Sequence, residues 1–221
     1  MYRDIKTKLG FSRFILLEKY IKNKRVLDIG SVGSNALTWD SKEWLFKKIA
    51  REAKTIVGVD INKKAIQELN KRNYDIRFGN AEYFNLGEEF DVAVASELIE
   101  HLNNQGAFLR CVQKHLKKDG YLIITTPNCF SWVYFLESLI LGQELNNPNH
   151  TLWHSAATLR QLFAKFEFSI KEICYFVENN AYQRESKLLK FLVTLKYMVS
   201  ILICLVRRNL SQQMMIVAQR R

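Results

Sequence analysis

The sequence predicts a protein of the α/β class, built on a doubly wound and mostly parallel sheet. Short apolar segments of strand length alternate with segments of helical periodicity along most of the 221 residues, which is typical of a parallel sheet with helices on both faces. The stretch RVLDIGSVGSN at 25–35 joins one such strand to two glycines, and a strand that ends in a glycine turn is where α/β proteins bind nucleotides. A chain of this length, with 48% apolar and 25% charged residues, suits one globular domain.

The elements of the first 130 residues follow from these periodicities. Phe14, Leu17 and Ile21 share one helical stripe, so we expect an amphipathic helix at 11–21 that covers the sheet, as part of a basic amino-terminal helix over 1–25. Asn62 is placed to cap the helix that begins after it. The predicted strands are 26–29, 55–59, 76–78, 90–95 and 121–126, with a turn at 117–120, and the predicted helices are 43–53, 63–71 and 105–116.

The net charge of +11 is concentrated at the two ends of the chain. Residues 1–25 carry eight Lys and Arg against two Asp and Glu, residues 182–221 carry eight against one, and the segment between them is close to neutral. Basic ends suit anionic lipid head groups or a polyanion such as RNA, or else form an ordinary solvated surface. We expect no secretory signal, because the amino terminus lacks an apolar core, and we expect reduced cysteines in a cytoplasmic protein, because the four are widely spaced.

Acidic and polar residues follow the predicted strands at positions suited to ligand binding. Asp28 lies beside the glycine turn and can orient it. Asp60 ends the second strand, where a carboxylate can accept from both hydroxyls of a ribose. The turn at 79–82 follows the third strand, and a polar side chain there can accept from the exocyclic amine of an adenine.

Glu97, Glu100 and His101 follow the fourth strand directly, at the carboxyl edge where α/β sheets bind ligands. If a helix begins there, spacings of three and four residues bring the three side chains onto one face. Two carboxylates and an imidazole can hold a divalent cation.

The order of these motifs resembles the class I S-adenosylmethionine-dependent methyltransferases, in particular the branch with an E-x-x-E-H-like sequence after the fourth strand. The matching sequences are VLDIGSVG (26–33), VGVDIN (57–62), FGNAEYF (78–84), FDVAVASELIEHL (90–102) and LKKDGYLIITTPN (116–128). The resemblance implies a Rossmann-like sheet of seven strands, mostly parallel with the last strand antiparallel, and here a hydrophobic helical insertion precedes that strand. It also implies a site for S-adenosylmethionine with contacts from Asp28, Gly30, Ser31, Gly33, Asp60, Ile61, Asn80, Ala81 and Ser96.

Two positions depart from the family pattern. The glycine turn of the family alternates as G-x-G-x-G, whereas Val32 stands at the middle position here and Gly33 is displaced by one place. Asn80 stands where the family commonly has Asp, and its amide oxygen can still pair with adenine. We therefore expect Asp28, Gly30 and Asp60 to be firmer contacts than Gly33.

Three interpretations of the E-x-x-E-H residues stay open. By resemblance to ubiquinone-pathway O-methyltransferases and small-RNA terminal 2′-O-methyltransferases, His150 joins Glu97, Glu100 and His101 in a Mg²⁺ site that polarises the acceptor oxygen. In the second, His101 or His150 is a general base, and in the third the residues only anchor the loop. The candidate catalytic residues are therefore His101, His150 and Glu97, and His154 is the weaker candidate as a ligand.

Two apolar segments mark the last part of the chain. Residues 129–141 carry one charge and are expected to cover an apolar substrate or to form a buried helix, and 188–206 are apolar over nineteen residues with two lysines. The longer helix is expected to lie in a membrane interface, to pack on the protein or a second subunit, or to span a membrane. The final strand argues against spanning, because it must return to the sheet. The remaining predicted elements are a helix at 158–166, a strand at 170–176, a loop at 178–185 and a strand at 213–218.

The predicted function is transfer of a methyl group from S-adenosylmethionine to oxygen on a small or lipid-linked acceptor. Methylation of RNA 2′-hydroxyls, methylation of sugars or polysaccharides, and a non-catalytic binding module are the alternatives. An anionic membrane surface is an expected partner, with the protein in the cytoplasm or at the inner membrane surface. The sequence does not indicate an oligomeric state.

Overall fold

Eight strands and seven helices form among residues 5–33, 39–41, 43–144, 147–178 and 186–221, which are the residues that the computed structural model describes. The strands are β1 (Lys6–Gly10), β2 (Arg25–Ile29), β3 (Thr55–Asp60), β4 (Ile76–Phe78), β5 (Phe90–Ser96), β6 (Leu116–Pro127), β7 (Phe168–Phe176) and β8 (Gln213–Arg220). The helices are α1 (Arg13–Ile21), α2 (Leu45–Glu52), α3 (Lys63–Lys71), α4 (Gln105–His115), α5 (Trp132–Leu141), α6 (Ala156–Ala164) and α7 (Lys187–Val206).

All eight strands belong to one sheet, in the order β1-β7-β8-β6-β5-β2-β3-β4. β8 runs antiparallel to both of its neighbours, β6 and β7, and the other neighbouring strands are parallel. The predicted Rossmann-like, mostly parallel sheet with an antiparallel last strand is therefore confirmed, and so is the apolar helix before that strand. The predicted number of seven strands is one too few.

The additional strand, β1, lies where a helix was expected. The amphipathic helix predicted at 11–21 is confirmed as α1, but its extension over the whole basic segment 1–25 is wrong, because Lys6–Gly10 pairs with β7 as an edge strand. Lys6, Thr7 and Lys8 are exposed, so the strand shows no alternation of apolar and polar residues that would reveal it. Lysines are common on edge strands because they discourage pairing with other chains.

Helices cover both faces of the sheet and enclose two main parts of the core. Phe108 and Val112 of α4 pack with Phe163 of α6 on one face. On the other face, Leu17 of α1 and Ile49 of α2 pack against the strands. The parallel strands are accordingly buried on both sides, as their continuous apolar sequences require.

The carboxyl ends of the parallel strands β2, β3, β5 and β6 meet at one edge of the sheet, which positions the candidate site. The Asn62 side chain accepts from the amide of Ala65 and caps α3, as predicted. Residues 117–120 were predicted to be a turn, but they form an irregularity within β6, where Asp119 adopts a positive φ of 62°. The predicted loop at 178–185 lies outside the described residues except for Glu178.

α7 is the one described helix that is long and apolar enough to cross a membrane. It begins at Lys187 and ends at Val206, close to the predicted bounds. Only Ser200 and Cys204 are buried along its twenty residues, so most of its apolar side chains face away from the protein.

Candidate active site

The glycine turn after β2 begins with a close backbone contact. Gly30 has a φ of 78°, and its amide donates to the carbonyl of Val59 at 2.8 Å. The positive φ favours glycine here, and a Cβ would also lie 3.3 Å from Leu98 Cδ1, a tight contact from which the leucine side chain would have to shift slightly. Gly33 has a φ of 70° but open space around it, so only its conformation favours glycine.

Asp60 joins the glycine turn to the end of β3. Its Oδ2 accepts from the amide of Val32 at 3.1 Å, and its Oδ1 accepts from the amide of Asn62 at 2.9 Å. The Val32 side chain is buried with Trp44 and Phe46, which explains why an apolar residue can stand where the family pattern has glycine. The turn is thus held by packing on one side and by the carboxylate on the other.

Asp28 and Ser31 lie beneath the turn. Asp28 is only 3% exposed, and burial together with the nearby Asp60 carboxylate raises the pKa of Asp28 to about 7. Ser31 is also buried, and its hydroxyl has no hydrogen-bond partner among the described residues. Both side chains therefore keep hydrogen-bonding capacity close to the turn.

A cavity of about 290 Å³ lies between the turns that follow β2, β3 and β4. Of the nine residues predicted to contact a cofactor, five line it: Gly30, Asp60, Ile61, Asn80 and Ala81. The oxygen of Asn80 accepts from the amide of Glu82 at 2.8 Å, so this side chain also closes its own turn. His101 lines the opposite wall of the cavity with Leu98 and Leu102.

Ser96 lies elsewhere, at the end of β5. Its hydroxyl accepts from Arg13 Nη1 at 2.6 Å and shares a hydrogen bond of 2.8 Å with Thr125. Arg13 also pairs with Glu178 at 3.4 Å, so α1 is tied to this edge of the sheet. The structure does not place Ser96 among the residues that line the cavity.

The expectation that Glu97, Glu100 and His101 share one face of a helix is wrong. Glu97 has a φ of 50°, which ends the strand sharply, and only the short 3₁₀ turn Ile99–His101 follows. Backbone strain of this kind in a residue other than glycine persists only where the surroundings enforce it. Here the Glu97 amide donates to the carbonyl of Thr125 at 2.9 Å.

Glu100 is the most buried acidic side chain of the site, at 1% exposure. The hydroxyl of Thr126 donates to its Oε2 at 3.0 Å, whereas its Oε1 has no hydrogen-bond partner among the described residues. Burial, followed by the charge of Glu97, raises the pKa of Glu100 well above its usual range. Such a carboxylate would be stabilised by a cation.

His101 and His150 come together although 49 positions separate them. Their ring centroids lie 4.6 Å apart, and His101 Nδ1 is 3.0 Å from the carbonyl of Asn149. Ligand atoms of Glu100, His101 and His150 all lie within 4.8 Å of one another. Glu97 is not part of that group, so the structure brings together three of the four predicted metal ligands.

His154 lies apart from this group, as the sequence suggested. It is buried, and its Nε2 is 2.9 Å from Gln105 Nε2, so it accepts a hydrogen bond from that amide. Burial lowers the pKa of His154 to about 4. This histidine is accordingly neutral near pH 7 and holds the loop before α6 against α4.

A second cavity, of about 630 Å³, lies between α5 and the loop that precedes α6. Tyr134 and Trp153 form part of its wall, with ring centroids 4.9 Å apart, and the Trp153 ring lies 6.5 Å from the ring of His150. Burial and the charge of Glu97 raise the pKa of Tyr134 to about 12. The aromatic rings therefore connect this cavity to the histidine pair.

Several residues of the site were not predicted from the sequence. Thr126, Asn149, Tyr134 and Trp153 each contact or flank the E-x-x-E-H residues. For Thr126 the sequence offers one indication, the motif TTPN, which marks the end of a strand at the edge where the site lies. Its hydrogen bond to Glu100 is seen only in the structure. The other three come from loops and from α5, whose approach depends on tertiary packing.

The chain is similar to known methyltransferases in sequence. The methyltransferase domain family matches residues 6–173. A ubiquinone biosynthesis O-methyltransferase of Pelagibacter ubique is 31% identical over 117 residues, which cover 50% of this chain and 45% of that protein. The corresponding protein of Azorhizobium caulinodans is 31% identical over 138 residues, which cover 55% and 51%. The chain thus spans about half the length of these curated relatives.

The fold is also that of solved methyltransferase structures. An S-adenosylmethionine-dependent methyltransferase from Archaeoglobus fulgidus aligns with a TM-score of 0.61 at 21% identity, covering 94% of this chain and 92% of that one. The family match covers most of the sheet, and the cavity at its carboxyl edge lies where this architecture binds ligands. The chain therefore belongs to the methyltransferase domain family.

Proposed function

We propose that the protein transfers a methyl group from S-adenosylmethionine to a hydroxyl oxygen of a small, lipid-linked acceptor. One observation carries this proposal: His101 lines the cavity at the glycine turn and also contacts His150, so a proton acceptor stands between two cavities. Methyl transfer to oxygen needs this arrangement, because the hydroxyl must lose its proton near the methyl group.

The residues at the first cavity fit S-adenosylmethionine. Gly30 leaves room for the ligand, Asp60 has lone pairs beyond those that accept from Val32 and Asn62, and Asn80 presents an amide at the next turn. In this proposal Asp60 accepts from the ribose hydroxyls and Asn80 with Ala81 lines the adenine. When bound, S-adenosylmethionine supplies a methyl group on a positively charged sulfur, which is open to in-line displacement.

The histidine pair is suited to accept a proton. The carbonyl of Asn149 can only accept a hydrogen bond, so Nδ1 of His101 carries a proton and Nε2 presents a lone pair in the neutral ring. Burial and the neighbouring His101 lower the pKa of His150, which keeps that ring neutral near pH 7. We propose His101 or His150 as the general base. We propose Glu97, which lies four residues before His101 and whose charge acts on the adjacent Glu100, as the residue that balances the resulting charge.

The second cavity supports an apolar or aromatic acceptor. Its wall includes Tyr134, Phe135 and Trp153, and it adjoins the histidine pair. Two similar proteins act in ubiquinone biosynthesis, according to their names, which favours a small acceptor over RNA or a polysaccharide. We propose that the reacting hydroxyl lies near His150 and that the rest of the acceptor occupies this cavity.

As the alternative to a general base, we propose that Glu100, His101 and His150 hold a divalent cation, which would occupy the lone pairs of the two rings and polarise the acceptor oxygen instead. The buried Oε1 of Glu100 without a described partner and the 4.8 Å grouping support this. Mg²⁺ prefers oxygen ligands, whereas these three residues offer one carboxylate and two imidazoles, so the donor set favours Mn²⁺ or Zn²⁺. Glu97 would have to turn toward the group to provide the second carboxylate that the predicted Mg²⁺ site requires.

The cellular location that we propose is the cytoplasm, at the inner surface of the membrane. All four cysteines are free, as expected in a reducing compartment. A lipid-linked acceptor would be found at the membrane surface.

Methyl transfer can be tested with S-adenosylmethionine labelled in its methyl group. Phenols with and without a polyprenyl chain serve as acceptors, and the label in the organic extract is measured. We expect transfer to oxygen that is faster with the prenylated acceptor. Labelling of RNA or of polysaccharide, with none of the phenols, would contradict the proposed acceptor class.

The cation can be tested by Mn²⁺ titration followed by electron paramagnetic resonance. We expect the wild-type protein to bind one Mn²⁺ and the Glu100→Gln variant to bind it at least about tenfold more weakly, because the buried carboxylate is lost. Glu82→Gln, which alters an acidic residue of the neighbouring cavity, is the matched control. Full turnover after chelation would rule out a catalytic cation.

A further inference from the structure

The outward side of α7 carries an unbroken apolar stripe. Six side chains follow one another at spacings of three and four residues, and each is between 50% and 66% exposed: Leu188, Phe191, Leu195, Met198, Leu202 and Leu205. A helix on the surface of a soluble protein normally turns its polar side outward. Here the side that faces the protein contains Ser200 and Cys204, so the usual polarity is reversed.

α5, which contacts α7, carries further exposed apolar side chains. Trp132 Nε1 donates to the Ser200 hydroxyl at 3.2 Å, which places the start of α5 against the inward side of α7. Phe135, Leu139 and Ile140 of α5 are each about 70% exposed. We call the exposed apolar residues of α5 and α7 together the apolar face. An exposed apolar stripe that runs along a whole helix, as on α7, marks a site of interaction with proteins or membranes.

The charges around the apolar face favour an anionic partner. α7 contains Lys187, Lys190 and Lys196 and no acidic residue, and Arg207 and Arg208 follow its last turn. Long cationic side chains beside an apolar helix face can reach lipid phosphates while the apolar side chains enter the acyl region. A two-fold contact between two copies of this face would instead bring like charges together.

The connections of α7 exclude a spanning orientation. Twenty residues reach about 30 Å, enough to cross a bilayer. However, Phe176 of β7 pairs with Gln213 of β8, so the strands before and after α7 are fixed at one end of the sheet. A spanning helix would require the linking chain to cross the hydrocarbon without a helical or barrel structure, which lipid does not tolerate.

We infer that the apolar face binds the surface of an anionic lipid bilayer, with α7 lying in the plane of the interface. The inference rests on the proposed function, because a lipid-linked acceptor gives the protein a reason to bind a membrane. Phe135 belongs both to the apolar face and to the wall of the second cavity. Binding to the bilayer therefore places the cavity beside the membrane, where a prenyl chain can pass from the lipid toward Tyr134 and Trp153.

The test is flotation of the full chain with vesicles of phosphatidylcholine alone or with about one third phosphatidylglycerol. We expect flotation with the anionic vesicles, and weaker flotation at high salt, because screening reduces the attraction of the cations. We expect Leu195→Glu with Leu202→Glu to weaken binding at least about tenfold, because two charges would enter the acyl region. Ile15→Glu, an equally exposed apolar residue on α1, is the control and should float like the wild type.

Four results would overturn the inference. The wild-type protein could remain unbound at low salt, or Ile15→Glu could lose binding as fully as the α7 variant. Sedimentation velocity could show a dimer that Leu195→Glu with Leu202→Glu separates, which would identify a second copy as the partner. Retention in the membrane through alkaline carbonate would indicate a spanning helix. Calorimetric binding of S-adenosylmethionine, measured on the same variants, separates failure of the membrane inference from failure of the proposed function.

Discussion

At the scale of single residues, the site depends on carboxylates with unequal surroundings. Asp60 is held by two backbone amides, whereas Glu100 is buried with one oxygen lacking a described partner. Asp28 is buried beneath the glycine turn. These differences are the basis of our proposals that Asp60 accepts hydrogen bonds from a polar ligand and that Glu100 interacts with a cation.

Asp60→Ala is expected to weaken binding of S-adenosylmethionine at least about tenfold, which corresponds to the loss of one or two hydrogen bonds to a charged group. Calorimetry measures the change. Asp75→Ala removes an exposed carboxylate that pairs with Arg77 and should bind the cofactor like the wild type. A folded Asp60→Ala protein with unchanged affinity would show that the carboxylate serves only the turn.

The buried His154 predicts a pH dependence of stability. The pKa of His154 in the folded protein, about 4, lies below the ordinary histidine pKa of 6.5, so the unfolded chain binds the proton first as the pH falls. Stability should therefore decrease between about pH 6.5 and pH 4, by up to roughly 3 kcal/mol. Urea unfolding of the wild type and of His154→Gln across this range checks it. Parallel stability curves for the two proteins would contradict the assignment.

At the scale of elements, Glu172 joins β7 to the amino-terminal segment. Its carboxylate accepts from Lys8 of β1 at 2.9 Å, from Lys19 of α1 at 2.7 Å and from the Tyr20 hydroxyl at 2.7 Å. Burial raises the pKa of Glu172, but the hydrogen bonds from Lys19, Tyr20 and Lys8 outweigh burial and lower it to about 2. The edge strand that the sequence did not reveal is thus fixed by a charged group.

Glu172→Gln is expected to lower the free energy of unfolding by roughly 1–3 kcal/mol at pH 7, since both lysines are half exposed and their attraction is screened. Because the folded pKa is depressed, this contribution is present above about pH 4.5 and is lost as the pH falls toward 2. Urea unfolding measures it. Glu68→Gln, which alters an exposed pair on α3, should change stability little, and an equal loss in both variants would disprove the special role of Glu172.

Elements with strong periodicity were predicted almost to the residue, and the exceptions have physical reasons. α3 and β4 have the predicted bounds because a capping Asn and a short apolar segment define them locally. β1 was missed because its side chains are polar and its partner, β7, is remote in sequence. The turn at Glu97 was missed because its positive φ is imposed by hydrogen bonds to β6, which no local pattern encodes.

The candidate site also has one part that local sequence patterns predict and one part that depends on tertiary packing. Gly30, Asp60 and Asn80 each follow a strand, so the sequence alone could assign them to one edge of the sheet. The contact between His101 and His150 depends on how the loop before α6 returns to β5. Resemblance to a family suggested that contact, whereas residue spacing could not.

At the scale of the whole molecule, three features lie at or beside the carboxyl edge of the sheet. The cofactor cavity is formed by the turns after β2, β3 and β4, the second cavity lies beside α5, and β8 brings the end of α7 to the same edge at Gln213. Part of the positive charge at the chain ends also lies on this side, because the basic carboxyl-terminal segment includes α7. In the function and the membrane contact that we propose, cofactor, acceptor and membrane therefore lie on one side of the protein.

Binding of S-adenosylmethionine, measured by calorimetry on the full chain, tests this arrangement most directly. We expect one binding site per chain, competition by S-adenosylhomocysteine, and loss of affinity in Asp60→Ala but not in Asp75→Ala. Absence of binding heat and of any thermal stabilisation at millimolar cofactor would contradict the assignment of the glycine-turn cavity.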